Sequence, residues 1–291
     1  MEIAIFGNRY QDDYTGHLKR FFNRLECEGK DLKLIIEERY MDYLRESLGA
    51  DAPRCGTFAG NDFDAQLALS IGGDGTFLTT ASIVERKQTP IMGINSGHLG
   101  YLSAARITEA DKVATVIARH LYTIDDRSMI SVDAGPDIEL PRRYALNEVA
   151  VMKQDTASMI TVDAFVDGRE LASYRADGLI VSTPTGSTGY NLSVGGPIIE
   201  PHTPVWTISP IAAHSLNMRP LVVSDHIAIE LTAKSRSGSY LLSVDGQSLT
   251  LATAHRLHLQ RAPFVTKVVQ PLNHNFIDTL RRKMLWGMDS I

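Results

Sequence analysis

The chain has 291 residues, 44% of them hydrophobic and 22% charged, which is enough for two domains with real cores and excludes a disordered or fibrous protein. Its formal net charge of −5 excludes the broad basic field that a sequence-independent grip on nucleic acid or on an anionic membrane requires. The only two cysteines, Cys27 and Cys55, show neither CxxC nor metal-ligand spacing, so the pattern predicts no disulfide framework, no zinc site and a reducing compartment.

Met1-Glu2-Ile3-Ala4-Ile5-Phe6 starts with an acid where a secretory signal carries basic residues, and it reads as a first strand. No stretch reaches the roughly 18 uninterrupted apolar residues of a spanning helix, so the expectation is a cytoplasmic protein with no membrane attachment. Leu18, Phe21, Phe22 and Leu25 then recur at the spacing of one helix face. A second strand follows over Leu32–Ile36, a helix over Tyr40–Leu48, and a strand Leu67–Ile71 that runs into Gly72-Gly73-Asp74-Gly75 and a helical pattern to about Arg86. Pro90–Asn95 reads as a further strand. Strands alternating with helices of this length predict a mostly parallel sheet covered on both faces.

After a helix over Thr108–Leu121 the period changes to two. Ile160, Val162, Ala164 and Val166 alternate up to Asp167-Gly168, and Tyr240, Leu242 and Val244 alternate up to Asp245-Gly246, both hairpin signals. The expected architecture is therefore an α/β N-terminal domain, residues 1–104 with about 263–291, and a β-rich domain over 105–262. A final helix, Asn275–Trp286, would pack back on the first domain, its Arg281-Arg282-Lys283 cluster forming a solvated C-terminus.

Three features carry chemistry. In Ser70-Ile71-Gly72-Gly73-Asp74-Gly75-Thr76 a strand ends in glycines where a helix begins, so backbone N–H groups face a phosphate unobstructed. Asp74 is out of place at an anion site unless it takes a proton or meets a metal; the plainer alternative makes it a helix N-cap. Asp177-Gly178, a strand to Ser182, and Thr183-Pro184-Thr185-Gly186-Ser187-Thr188-Gly189-Tyr190-Asn191 with Gly195-Gly196 offer hydroxyls, amides and a ring for a nucleotide, or else form an ordinary surface loop. Asn147-Glu148 interrupts the apolar run Tyr144–Val151, either to meet ribose hydroxyls or as a strand end facing solvent. Neither GxxxxGK[ST] nor GxGxxG after a strand occurs, which removes the sequence support for P-loop NTPases and common dehydrogenases.

Together with Asp245-Gly246-Gln247 and the stretch Asn95–Tyr101, these motifs resemble, in order and approximate spacing, those of the NAD kinase family over residues 70 to 250. Lipid and sugar kinases share only the GGDGT element, and a catalytically silent dinucleotide sensor would gain nothing from the Asp74 carboxylate. The resemblance implies a kinase that transfers phosphate from ATP, with Mg²⁺, to the 2′-hydroxyl of the adenosine ribose of NAD, giving NADP and ADP. It implies Asp74 as general base with Gly75 beside it, Asn147 and Glu148 at the adenosine end, and Asp177 at the nicotinamide end of a neighbouring subunit's site. The loop Thr188, Gly189, Tyr190, Asn191, Leu192 and Ser193 would close on the dinucleotide, and Tyr101, Thr185, Arg175, Ala212 and Gln247 are further contacts by analogy. It names no protein ligands for the metal, and it implies a homodimer or homotetramer. Tyr101 stands where many members have phenylalanine, Gly189 where many have alanine, and Ser158 where several bacterial members carry a basic residue.

Overall fold

The computed structural model describes the chain except for residues 10, 29–30, 98–99, 156–157, 273–274 and 288–291; His98 and Leu99 of the Asn95–Tyr101 motif thus lie outside the described residues. The chain forms two compact units, one of residues Met1–Asp126 joined by the segment from Thr266 onward, the other of Arg127–Val265.

The first unit opens with β1 (Glu2–Gly7), α1 (Thr15–Glu28), β2 (Lys33–Glu37), α2 (Glu38–Leu48), β3 (Gly56–Phe58), β4 (Leu67–Ile71), α3 (Asp74–Val84) and β5 (Ile91–Asn95). β4 and β5 are buried at every position, as a parallel sheet covered on both faces demands. The periodic face of α1, Leu18, Phe21, Phe22 and Leu25, is fully buried, and each such side chain contributes about 1.5–3 kcal/mol. α2 begins where the Glu37 carboxylate accepts the Tyr40 amide at 3.0 Å and ends at Gly49, whose φ of 57° with ψ of −122° is a conformation open mainly to glycine. β6 (Ala105–Arg106), α4 (Ala110–Ala118) and β7 (Tyr122–Arg127) complete this part.

α4 buries Ala110, Val113, Ala114 and Ile117 in the same core as α1. The first unit therefore extends to Asp126, beyond the boundary near residue 104 that the change of period suggests. An amphipathic pattern tells which face of a helix is apolar but not which sheet it covers.

In the second unit the strands are β8 (Ile130–Asp133), β9 (Tyr144–Ala145), β10 (Glu148–Met152), β11 (Ile160–Val166), β12 (Arg169–Ala176) and β13 (Gly178–Ser182). A short helix α5 (Tyr190–Ser193) precedes β14 (Val205–Ile211), β15 (Leu221–Ser224), β16 (Ile229–Lys234), β17 (Ser239–Val244), β18 (Gln247–Ala252) and β19 (Leu257–Arg261). They form two antiparallel six-stranded sheets, ordered β15-β14-β13-β10-β17-β18 and β12-β11-β16-β19-β8-β9. Alternate residues of both sheets, among them Val149, Val151, Val162, Leu179, Val181, Trp206, Leu231 and Leu242, meet in one core. Both expected hairpins form, and Asp167, Gly168, Asp245 and Gly246 all have positive φ, as the tightest two-residue turns require.

The chain then returns to the first unit with β20 (Thr266–Pro271) and α6 (Phe276–Met284). β20 lies beside β5, giving the order β3-β2-β1-β4-β5-β20-β7 with β6 on β5. The Asn275 side chain caps α6 by accepting the amides of Ile277 and Asp278 at 2.8 and 3.2 Å. No described helix is long and apolar enough to cross a membrane.

Candidate active site

In the first unit the glycine turn joins β4 to α3. Gly73 is the N-cap and makes no side-chain cap bond, so Asp74 is the first helical residue and not the cap. Its carboxylate instead accepts the backbone amides of Tyr101 at 2.8 Å and Leu102 at 3.1 Å. Gly100 makes this possible, since a Cβ there would lie 2.1 Å from Asp74 Oδ1. A Cβ on Gly72 would strike the Thr76 hydroxyl at 2.3 Å, whereas at Gly73 or Gly75 it would meet nothing within 4 Å. The outer side of the turn is thus open to a ligand, next to the first turn of α3, where the positive end of the helix dipole lies. Three residues that the motifs do not name brace this turn. Gln11, buried, donates to the Ile71 carbonyl at 2.7 Å and accepts the Tyr40 hydroxyl at 3.0 Å, and Asn8 donates to Thr76 Oγ1 at 3.1 Å. The only sequence signal for them is position: Asn8 and Gln11 come just after the first strand and Tyr40 just after the second, at the edge of a parallel sheet where ligands gather.

In the second unit Asn147 and Glu148 stand at the start of β10. Their backbone is held from the β17–β18 turn, where the Asp245 carboxylate accepts the amides of Leu146, Asn147 and Glu148 at 2.7, 2.8 and 3.0 Å. Asp245 is itself buried, with Arg142 Nη1 3.9 Å from its carboxylate and donating to its carbonyl at 3.2 Å. Burial raises the Asp245 pKa against the pull of the three amides and Arg142. Burial foremost, then the neighbouring Asp245 charge, pushes Glu148 up to about 7, with the Tyr190 amide pulling the other way. Asn147 Oδ1 and Glu148 Oε2 are buried and have no hydrogen-bond partner among the described residues. Such atoms are costly unless something satisfies them, and an amide beside a carboxyl that titrates near neutrality suits sugar hydroxyls or a base edge.

The glycine-, serine- and threonine-rich loop is no surface turn. Thr183, Thr185, Ser187 and Asn191 are all buried. Gly186 lies so close to Asn147 that a Cβ would sit 2.1 Å from its carbonyl oxygen, and a Cβ on Gly189 would come within 3.1 Å of Glu148 Oε2. The loop thereby brings Thr185, Thr188, Gly189 and Tyr190 to Asn147 and Glu148. Thr188 and Gly189 are half-buried, as is Leu192, while Ser193 and the Tyr190 ring reach solvent. Asn191 faces inward: its amide donates to the carbonyls of Ser187 and Pro197 and accepts the Ser209 hydroxyl at 2.6 Å, so it organises the loop. Gln247, exposed, pairs with Val244 across the Asp245 turn.

Arg175, Asp177 and Ala212 form a separate group. Asp177 donates its amide to Ile211 and Arg175 accepts that of His214, both at 2.9 Å, which sets Ala212, at φ 46°, beside them. The Asp177 carboxylate is 2.6 Å from Lys153 Nζ. Glu148 pairs with Ser182 and Met152 with Gly178, so this group lies at the other end of the β10–β13 pair from Asn147 and Glu148, roughly 13 Å along the strands.

Because Glu148 keeps its proton in the folded protein to about pH 7, ionising it costs stability as pH rises from its ordinary range through 7. Glu148→Gln removes that cost. Chemical denaturation is expected to find the variant more stable than the parent above pH 7 by roughly 2–3 kcal/mol, with the gap closing below about pH 4.5.

Residues 31–122 match the model of the ATP-NAD kinase N-terminal domain and residues 146–270 that of the ATP-NAD kinase C-terminal domain. An NAD kinase of Bacteroides fragilis is 43% identical over 290 residues, covering 100% of this chain and 99% of that protein, and one of Porphyromonas gingivalis is 41% identical over 286 residues, covering 98% of each. Among solved structures, an Archaeoglobus fulgidus NAD kinase in complex with ATP superposes with a TM-score of 0.72 at 26% identity, over 97% of this chain and 99% of that one. The yeast NADH kinase complexed with NADH shares the fold at a TM-score of 0.85 and 21% identity, over 100% of this chain and 89% of its own. With both family domains matched and the similarity to curated relatives running the length of the sequence, this chain belongs to the NAD kinase family.

Proposed function

We infer that this chain phosphorylates NAD with ATP, the acceptor being the 2′-hydroxyl of the adenosine ribose. The observation that carries the residue assignment is the Asp74 carboxylate. It is held by two amides at the mouth of an open glycine turn, where a negative charge serves no purpose for phosphate binding alone. The hydroxyl oxygen attacks the terminal phosphorus, its proton passes to Asp74, and the bond to the ADP oxygen breaks. Each carboxylate oxygen spends one lone pair on an amide and keeps another to accept the proton. The amides of the α3 N-terminus receive phosphate oxygens. Asn147 and Glu148 bind the adenosine end, with Thr185, Thr188, Gly189, Tyr190 and Gln247 around it.

A divalent ion such as Mg²⁺, when bound with the nucleotide, would supply charge neutralisation on the transferring phosphate. Mg²⁺ keeps several waters and needs few protein carboxylates. With no group of three or more His, Cys, Asp or Glu arranged for a metal among the described residues, the donor set fits an ion carried on the nucleotide's phosphates. We place the protein in the cytoplasm. Formation of NADP from ATP, Mg²⁺ and NAD by the purified chain tests the activity, and no product would overturn it.

We further propose a homodimer or homotetramer in which Arg175, Asp177 and Ala212 reach the nicotinamide end of a neighbour's substrate. Their distance along the strands from Asn147 and Glu148 supports that division of labour. Subunits carrying Asp177→Ala, inactive alone, are expected to regain activity when mixed with Asp74→Asn subunits, as read by NADP formation; a fully active enzyme sedimenting as a single chain would refute it.

A further inference from the structure

Lys283, in the last turn of α6, is not solvated as its place in a basic cluster suggests. It is half-buried, and its ammonium donates to the carbonyls of Tyr101 at 2.8 Å and Ser103 at 2.7 Å, 5.7 Å from the Tyr101 ring centroid. The Tyr101 carbonyl and the Leu102 amide belong to one peptide group. Its oxygen accepts from Lys283 while its N–H donates to Asp74. A cation on the oxygen side polarises the peptide and strengthens the bond its N–H makes to the carboxylate. Leu102 and Ser103 are buried, and the next amide, that of Ala104, donates to Gly93 of β5 at 2.9 Å, so the segment has a fixed floor and Lys283 forms its other wall.

We propose that Lys283 is a positioning residue for phosphoryl transfer, holding the 101–103 segment so that the Asp74 carboxylate stays aimed at the acceptor. The proposal rests on the reading of Asp74 as base. The groups facing Lys283 are Asp74 of α3, Arg106 of β6 and Arg282 of α6, with Glu109 and Lys112 lining the same cavity of about 820 Å³. Burial first, then Arg282 and Arg106, bring the ammonium down to about 8, while Asp74 pulls it up. Lys283 is thus charged below that pH and loses its charge above it.

The test uses the full chain and single-turnover rates at saturating ATP and NAD. Lys283→Met is expected to lower the chemical step about 10-fold or more at pH 7, since displacement of a catalytic group by an ångström can cost about 10²-fold, with KM for both substrates within about twofold. The parent-to-variant ratio should be flat below pH 7 and shrink towards one above pH 9; comparing the two proteins at each pH cancels titration of the substrates. Lys283→Arg, whose guanidinium stays charged, should recover part of the rate and show no decline relative to its own plateau around pH 8. It also keeps the proposal testable if the methionine variant folds poorly.

In the Asp74→Asn background, Lys283→Met should change nothing further. Equal loss in both backgrounds, or a ratio independent of pH, would overturn the positioning role and leave Asp74 as base. A near-parental rate in Asp74→Asn alone would instead overturn the base and the proposal together.

Discussion

Asp74→Asn is expected to slow the chemical step by about 10² to 10⁴, equivalent to roughly 2.7 to 5.5 kcal/mol of barrier, while NAD binding changes little. The substitution keeps the shape and removes the proton acceptor. Because the two carboxylate oxygens each receive a backbone amide, an asparagine cannot replace both; its NH₂ must face either the Tyr101 or the Leu102 N–H. A loss of about 1 kcal/mol in unfolding free energy should accompany the rate effect, and denaturant melts can measure it separately. A helix cap would behave differently, since asparagine caps as well as aspartate. Single-turnover NADP formation within a few-fold of the parent would take Asp74 out of the chemistry.

The second large effect is expected at Asp245. Asp245→Ala strips three amides of their acceptor and leaves Arg142, buried and already held below its ordinary pKa by desolvation, without its counter-charge. Breaking a buried ion pair from one side costs about 3–5 kcal/mol, so the variant should unfold at markedly lower denaturant. The residues released are Leu146, Asn147 and Glu148, so NAD affinity should fall by more than ATP affinity. Glu148, relieved of a neighbouring negative charge, should titrate below 7. Unchanged NAD affinity in a folded Asp245→Ala protein, measured by calorimetric titration, would show that this carboxylate holds only the fold.

What the sequence displayed was what local rules encode. The buried strands, the face of α1, the glycine turn and the two hairpins each follow from periodicity or from the φ a residue tolerates, and all are present. The motifs also marked Asn147, Glu148 and the loop around Tyr190. What stayed hidden depends on distance along the chain. Asp245 reads as one more turn residue until its carboxylate is seen on amides 97 to 99 positions earlier. Lys283 reads as a solvated charge until its ammonium is seen on carbonyls about 180 positions away. The ties of the Asn191 amide to Ser187, Pro197 and Ser209 of β14 were hidden in the same way. The assignment of α4 was invisible for the same reason, since its apolar face would fit any sheet.

The return of β20 and α6 to the first unit has a consequence for biosynthesis. The second unit is contiguous, Arg127–Val265, and every strand of its two sheets is synthesised before the strand that lies between β5 and β7 in the first sheet. The N-terminal half must therefore wait, one place in its sheet unfilled, while the later-synthesised unit can finish folding ahead of it, reversing the usual order for consecutive domains. Chains released after Val265 should thus carry a protease-resistant second unit and a first unit still open to cleavage. The Lys283 brace on the Asp74 segment likewise forms only after the second unit has been synthesised.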